Sequence, residues 1–204
     1  MNAIMSDESV PRHRFTVQDY YRMAEVGLLA PDARVELIEG EVIDMAPQGT
    51  HHAEILRRLA RLLFLAAGDR VTVQAQCPLR LDDFSEPEPD FALLKWRKDG
   101  YLASHPGTAD TLLVVEVSHS SLRFDRRRKL PLYARHGIPE CWIIDITTPQ
   151  LHVFHSPDKG RYTHNASMGR PMAVALQAMP ELKVELAGLF DGLPGHSGSD
   201  LPAL

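Results

Sequence analysis

The chain has 204 residues, 44% of them hydrophobic and 24% charged, which suits one globular domain with an ample core. A formal net charge of -5 excludes a bulk pull toward nucleic acid or anionic membrane, so any polyanion binding needs local basic patches. Cys77 and Cys141 stand alone, without C-x-x-C or metal-ligand spacing, and read as reduced thiols of a cytoplasmic protein; the longest apolar run, residues 62–67, is far below the roughly 18 residues of a membrane span.

Residues 1–14 mix acids and bases without an apolar core and read as a flexible tail. From Thr16, a capping residue, Tyr20, Met23, Ala24 and Leu28 follow helical spacing. Residues 34–45 alternate around Glu39-Gly40 and predict a hairpin. The strongest helix signal is 50–68, where Ile55, Leu56, Leu59, Leu62, Leu63 and Ala66 form one apolar stripe and Gly68 provides a stop. Residues 71–81 and 90–95 read as strands separated by a turn-rich stretch.

The run LLVVEVS at 112–118 predicts a buried central strand. A helix is expected within 121–137, capped by Asp125 or a nearby serine and stopped by Gly137. Pro131 removes a helix hydrogen bond, so the helix should kink there or start later than Asp125. Strands at 140–146 and 151–156, weak strands within 172–186 and a short helix at 186–190 complete a domain spanning 15–191. Residues 192–204 read as a second flexible tail. Interleaved strands and helices make the class α/β or α+β, with a mixed sheet flanked by helices.

Three acids interrupt strands or open them: Glu36, Asp90 and Glu116. An ionised carboxylate on an apolar strand face is costly unless a cation meets it. Clustered carboxylates at one rim of a sheet suit Mg²⁺ or Mn²⁺, which bind oxygen ligands and act through substrate phosphates. Taken singly, each acid also fits a half-exposed strand position or an edge guard. Lys129, near the start of the following helix, brings a cation toward Glu116, beside the densest basic stretch, Arg126, Arg127 and Arg128. That stretch fits either phosphate contact or a solvated helix face. His51 and His52 open a helix, where they suit phosphate contact or a polar first turn, and Gln76 suits a site lining or a surface strand. HHAE is not H-E-x-x-H, and G-x-S-x-G, P-loop and dinucleotide fingerprints do not occur. Trp142 and Tyr133 read as core aromatics.

The ordered set Pro89-Asp90 and Glu116-Val117-Ser118 resembles the PD-(D/E)XK nuclease motif. RVELIEGEV, HHAEI, EPEPDFALL, VVEVS and KLPLYARHGIPECWIID together are similar to the Uma-two family of restriction-endonuclease-like bacterial proteins, over about residues 15–190. The resemblance implies a restriction-endonuclease-like mixed central sheet flanked by helices, Mg²⁺-dependent cleavage of DNA, and a homodimer. It implies that Asp90 and Glu116 are metal-binding acids and Glu36 an additional upstream ligand. The motif lysine is absent, because Ser118 stands at its position, and Lys129 resembles a lysine that has migrated to the next helix. Arg126, Arg127, Arg128 and His52 are then the expected nucleic-acid contacts. The alternative is a catalytically inactive nucleic-acid-binding or dimerising module of the same fold.

Overall fold

Strand β5 (Thr111–Ser118) is buried along its whole length. Its alternate residues face two different cores, as the period of two requires. Val115 and Val117 join one cluster with Ile55, Leu59 and Leu63 of helix α2 (Thr50–Ala67). Val114 joins the other, with Leu132 and Tyr133 of helix α4 (Leu130–Arg135). Burying each such Leu or Ile contributes roughly 1.5–3 kcal/mol. Glu116 and Ser118 share the parity of Val114, so the chain sends them toward the α4 side.

The computed structural model describes residues 12–194. Helix α1 (Val17–Glu25) is followed by a hairpin of β1 (Val35–Ile38) and β2 (Glu41–Asp44), then α2, β3 (Val71–Ala75), β4 (Phe91–Lys95) and β5. A helical run then comprises α3 (Leu122–Phe124), a π-turn (Asp125–Lys129) and α4. Strands β6 (Glu140–Asp145), β7 (Gln150–Asp158), β8 (Arg161–Met168), β9 (Ala173–Ala175) and β10 (Lys183–Glu185) close the order. The central sheet runs β3-β4-β5-β6-β7-β8, parallel only at β5–β6 and antiparallel elsewhere. It is the mixed sheet flanked by helices that the sequence predicts. The helical run is the crossover that a parallel pair needs.

Thr16 caps α1 reciprocally with Asp19, as its position suggests, but the helix ends at Glu25 and leaves Leu28 exposed. Glu39 (φ 53) and Gly40 (φ 82) form the hairpin turn. A Cβ on Gly40 would lie 2.6 Å from Cβ of Arg14, so glycine is required there for space as well as conformation. Arg14 also donates to the Glu39 carbonyl and stacks on Phe84, so the last residues of the expected N-terminal tail are engaged. Residues 1–11 and 195–204 of the two expected tails lie outside the described residues.

Three expectations need correction, and one strand, β8, goes unannounced in the sequence. The strand expected over 71–81 ends at Ala75, where Gln76 turns to φ 48. The segment 186–190 forms turns rather than a helix. Strand β8 carries Arg161, His164 and Asn165 on an exposed edge, so it has no apolar alternation to announce it. The helix expected within 121–137 does not start after Asp125: helical residues begin at Leu122, and the backbone widens into the π-turn just before the proline. The Leu130 N–H bonds to the Asp125 carbonyl, five residues back. That widening accommodates Pro131, whose ring would meet the carbonyl four residues earlier in a regular α-helix.

Candidate active site

Glu36, Asp90, Glu116 and Lys129, scattered over 94 positions of sequence (129 − 36 + 1), line a single cleft of about 280 Å³. Glu36 comes from the middle of β1, and the backbone N–H of Glu88 donates to its Oε2 at 3.1 Å. The pairing of Phe91 with Val115 carries Asp90 alongside the end of β5. Asp90 Oδ2 accepts the N–H of Val117 at 2.8 Å, and Oδ1 accepts Gln76 Nε2 at 3.1 Å. Gln76 is therefore a site neighbour, even though it is exposed on the surface.

The Lys129 ammonium stands between two carboxyls, 2.9 Å from Glu36 Oε2 and 3.2 Å from Glu116 Oε1. Both Glu116 and Lys129 are only 4% exposed. Burial pushes the Glu116 carboxyl up to about 8, against the pull of Lys129 and with repulsion from Asp125, Asp90 and Glu36. Burial works against the charge of Lys129, but Glu116 and Glu36 outweigh it and hold the ammonium above its ordinary range. Tyr133, expected as a plain core aromatic, donates its hydroxyl to Glu116 Oε1 at 2.6 Å. The signal for it was available: Tyr133 lies four residues after Lys129, on the same helix face. Trp142 is a core aromatic as expected, its indole N–H satisfied by Glu140 at 2.6 Å.

His52, in the first turn of α2, donates Nε2–H to the Val117 carbonyl at 2.9 Å and lies 3.5 Å from Asp90 Oδ2. Burial lowers its basicity, but Asp90 outweighs burial and raises its pKa. The three arginines are not in the cleft. Arg126 and Arg127 are exposed, and Arg128 pairs with Glu41 at 3.0 Å and Glu39 at 3.3 Å on the β1–β2 hairpin. Arg34 and His119, which sequence reasoning did not single out, stand in the lining instead.

The lining holds more carboxyls than cations: Glu36, Asp44, Glu88, Asp90, Glu116 and Asp125 against Arg34 and Lys129. All these acids offer hard oxygen donors, the chemistry Mg²⁺ or Mn²⁺ requires. Among the described residues no three His, Cys, Asp or Glu side chains gather tightly enough to hold a metal by themselves. Mg²⁺ ordinarily takes only one or two protein carboxylates and completes its shell with water and substrate phosphate. Asp90 and Glu116 fit that demand; Glu36 Oε2 is taken by both the ammonium and the Glu88 N–H, whereas Glu116 meets the ammonium through Oε1.

A mixed sheet flanked by helices, with acids at the ends of adjacent central strands, defines a restriction-endonuclease-like fold. The chain belongs to the Uma2 family, described as "Putative restriction endonuclease", which matches residues 17–187. Among solved structures it is similar to one described as "a putative nuclease belonging to DUF820" from Anabaena variabilis ATCC 29413. The two share 18% identity and a TM-score of 0.66 over 88% of this chain and 99% of that one, a likeness that shows the fold. No curated protein matches the chain. Family membership makes it a protein of the nuclease class. Among the described residues no helix is long and apolar enough to cross a membrane.

Proposed function

We propose that the protein is an endonuclease that uses Mg²⁺ or Mn²⁺ to hydrolyse DNA phosphodiester bonds. One observation carries this reading: Asp90 and Glu116 lie at the ends of adjacent strands in the cleft that also holds Lys129, 3.2 Å from Glu116. Asp90 and Glu116 are the residues that hold the cation. When bound, it lowers the pKa of a water and offsets charge building on the phosphate. Lys129 presents an ammonium to the phosphoryl oxygens, and Glu36 fixes where that ammonium stands. Tyr133 holds Glu116 Oε1, so Oε2 lies outside both of these bonds. His52, through Asp90 and the Val117 carbonyl, ties α2 to the same strand end. Exposed Arg126 and Arg127 lie outside the cleft lining and act as flanking backbone contacts. The protein works in the reduced cytoplasm, with Cys77 and Cys141 free, and as a homodimer that offers two clefts for two strands.

Nicking of supercoiled plasmid in Mg²⁺, paired with calorimetric titration of Mn²⁺, tests the activity, and light scattering at micromolar concentration tests the dimer. Cleavage abolished by Asp90→Asn is the expected result. A second reading, a DNA-binding or dimerising module without catalysis, is favoured by Lys129 pairing with two carboxyls and by the net charge of -5. DNA retention without cleavage at saturating Mn²⁺ would establish that second reading.

A further inference from the structure

The position that holds lysine in the motif this chain resembles holds Ser118, and the structure gives that serine a task. Ser118 is fully buried as the last residue of the central strand β5, opposite Asp145 of β6, and its carbonyl accepts the N–H of Ile146 at 3.0 Å. Its hydroxyl donates to Asp125 Oδ2 at 2.7 Å. Ser121 donates to the same oxygen at 2.7 Å, and the Asp125 N–H bonds back to the Ser121 carbonyl at 2.9 Å. Asp125 is the first residue of the π-turn, and its carbonyl accepts the five-residue bond from Leu130 that defines the turn. Lys129 ends that turn.

We propose that Ser118 is a positioning residue: with Ser121 it fixes Asp125, and through Asp125 it sets the π-turn that delivers Lys129 to Glu36 and Glu116. This rests on the nuclease reading for its consequence in catalysis. A regular α-helix advances about 100° per residue. Closing the π-turn by one residue would swing Lys129 and Tyr133 together off Glu116 by about that angle. A hydroxyl anchored in the sheet, bonded to the first residue of the turn, registers the helix against the strand that carries Glu116. The cation is supplied from the helix, and the old lysine position supplies the clamp.

The test uses the full chain without metal, then with it. The protein has five lysines, at 95, 98, 129, 159 and 183, and only Lys129 is buried. Its ε-methylene NMR signal is identified by its loss in Lys129→Ala. Ser118→Ala and Asp125→Ala are expected to move or broaden that signal and leave the other four in place. Asp125→Asn keeps an oxygen for both hydroxyls and Ser118→Thr keeps the donor, so both should leave the signal near its parental position. In single-turnover cleavage, Ser118→Ala should slow the parent about tenfold, the worth of one buried hydrogen bond. It should slow Lys129→Ala by less than twofold, because the residue it positions is gone. An unmoved Lys129 signal in Ser118→Ala and Asp125→Ala, or equal rate losses in both backgrounds, overturns the proposal. A parent that binds Mn²⁺ without cleaving defeats the nuclease reading while the NMR comparison still decides this one.

Discussion

Lys129 and Tyr133, four residues apart, converge on a single oxygen: Glu116 Oε1 lies 3.2 Å from the ammonium and 2.6 Å from the phenol. The phenol is fully buried, and burial together with Glu116 holds its proton far more tightly than in water. Tyr133 is therefore a fixed donor throughout the working pH range. Tyr133→Phe should destabilise the fold by about 1–3 kcal/mol, because the carboxyl loses a buried partner. Urea denaturation with unchanged m-value is the measurement, and parental stability would mean that the bond contributes nothing.

Lys129→Ala should lower single-turnover cleavage on the order of 10²-fold to 10³-fold, the usual effect of removing one electrostatic stabiliser. The buried ion pair adds a second consequence. Leaving Glu36 without its cation, beside a Glu116 that burial keeps protonated up to about pH 8, should destabilise the fold by about 3–5 kcal/mol. Circular dichroism melts check the latter. A stable but inactive variant would show that the carboxyls relax into water, and a fully active one would show that another cation supplies the needed charge.

Mn²⁺ should raise the melting temperature of the parent, since binding the native state alone adds about 2.7 kcal/mol at a hundredfold excess over the dissociation constant. Asp90→Asn should remove most of that rise. The amide still accepts the Val117 N–H bond that Asp90 Oδ2 accepts, so the apo fold should persist. Equal Mn²⁺ stabilisation of parent and variant would place the metal elsewhere.

The buried carboxyl of Glu116 titrates at about 8 in the folded protein, pushed up chiefly by burial, against 4.5 as its ordinary value. Between those two values the native state keeps a proton that the unfolded state has released, so metal-free stability should fall as pH rises from 5 to 8. Glu88, Asp125 and Glu140 are raised by burial as well and act in the same direction. Glu116→Gln should flatten the melting-temperature profile over that window. A cation on Glu116 must displace the same proton, so Mn²⁺ affinity of the parent should rise from pH 6 to pH 8. Parallel profiles for parent and Gln variant would remove Glu116 as the titrating group.

Periodicity made the elements that carry most of the core legible, because Ile55, Leu59 and Leu63 repeat at helical spacing and Leu112 to Val115 form an uninterrupted apolar run. The acids of the cleft were legible for the opposite reason, as carboxyls placed where a carboxyl is costly. What escaped was whatever depends on local backbone detail. The π-turn has no composition of its own; its sequence trace was Pro131, which looked like a contradiction within a helix. Strand β8 is held at the sheet edge by pairing with β7 rather than by an apolar face. Arg34 and His119 reach the cleft from a residue before β1 and one after β5, a proximity set by tertiary structure alone.

The widened turn also has a bearing on descent. Insertions and deletions are usually tolerated in loops, yet here the interval from Asp125 to Lys129 cannot change length by one residue without displacing the cation. A relative that keeps this arrangement should carry Glu-x-Ser, then Asp seven residues after the serine, Lys four further on and Tyr four beyond that, as Glu116, Ser118, Asp125, Lys129 and Tyr133 are spaced here. A relative shortened by one residue in that interval has to draw its lysine from another element, and the restored candidate is the strand position that Ser118 holds in this chain.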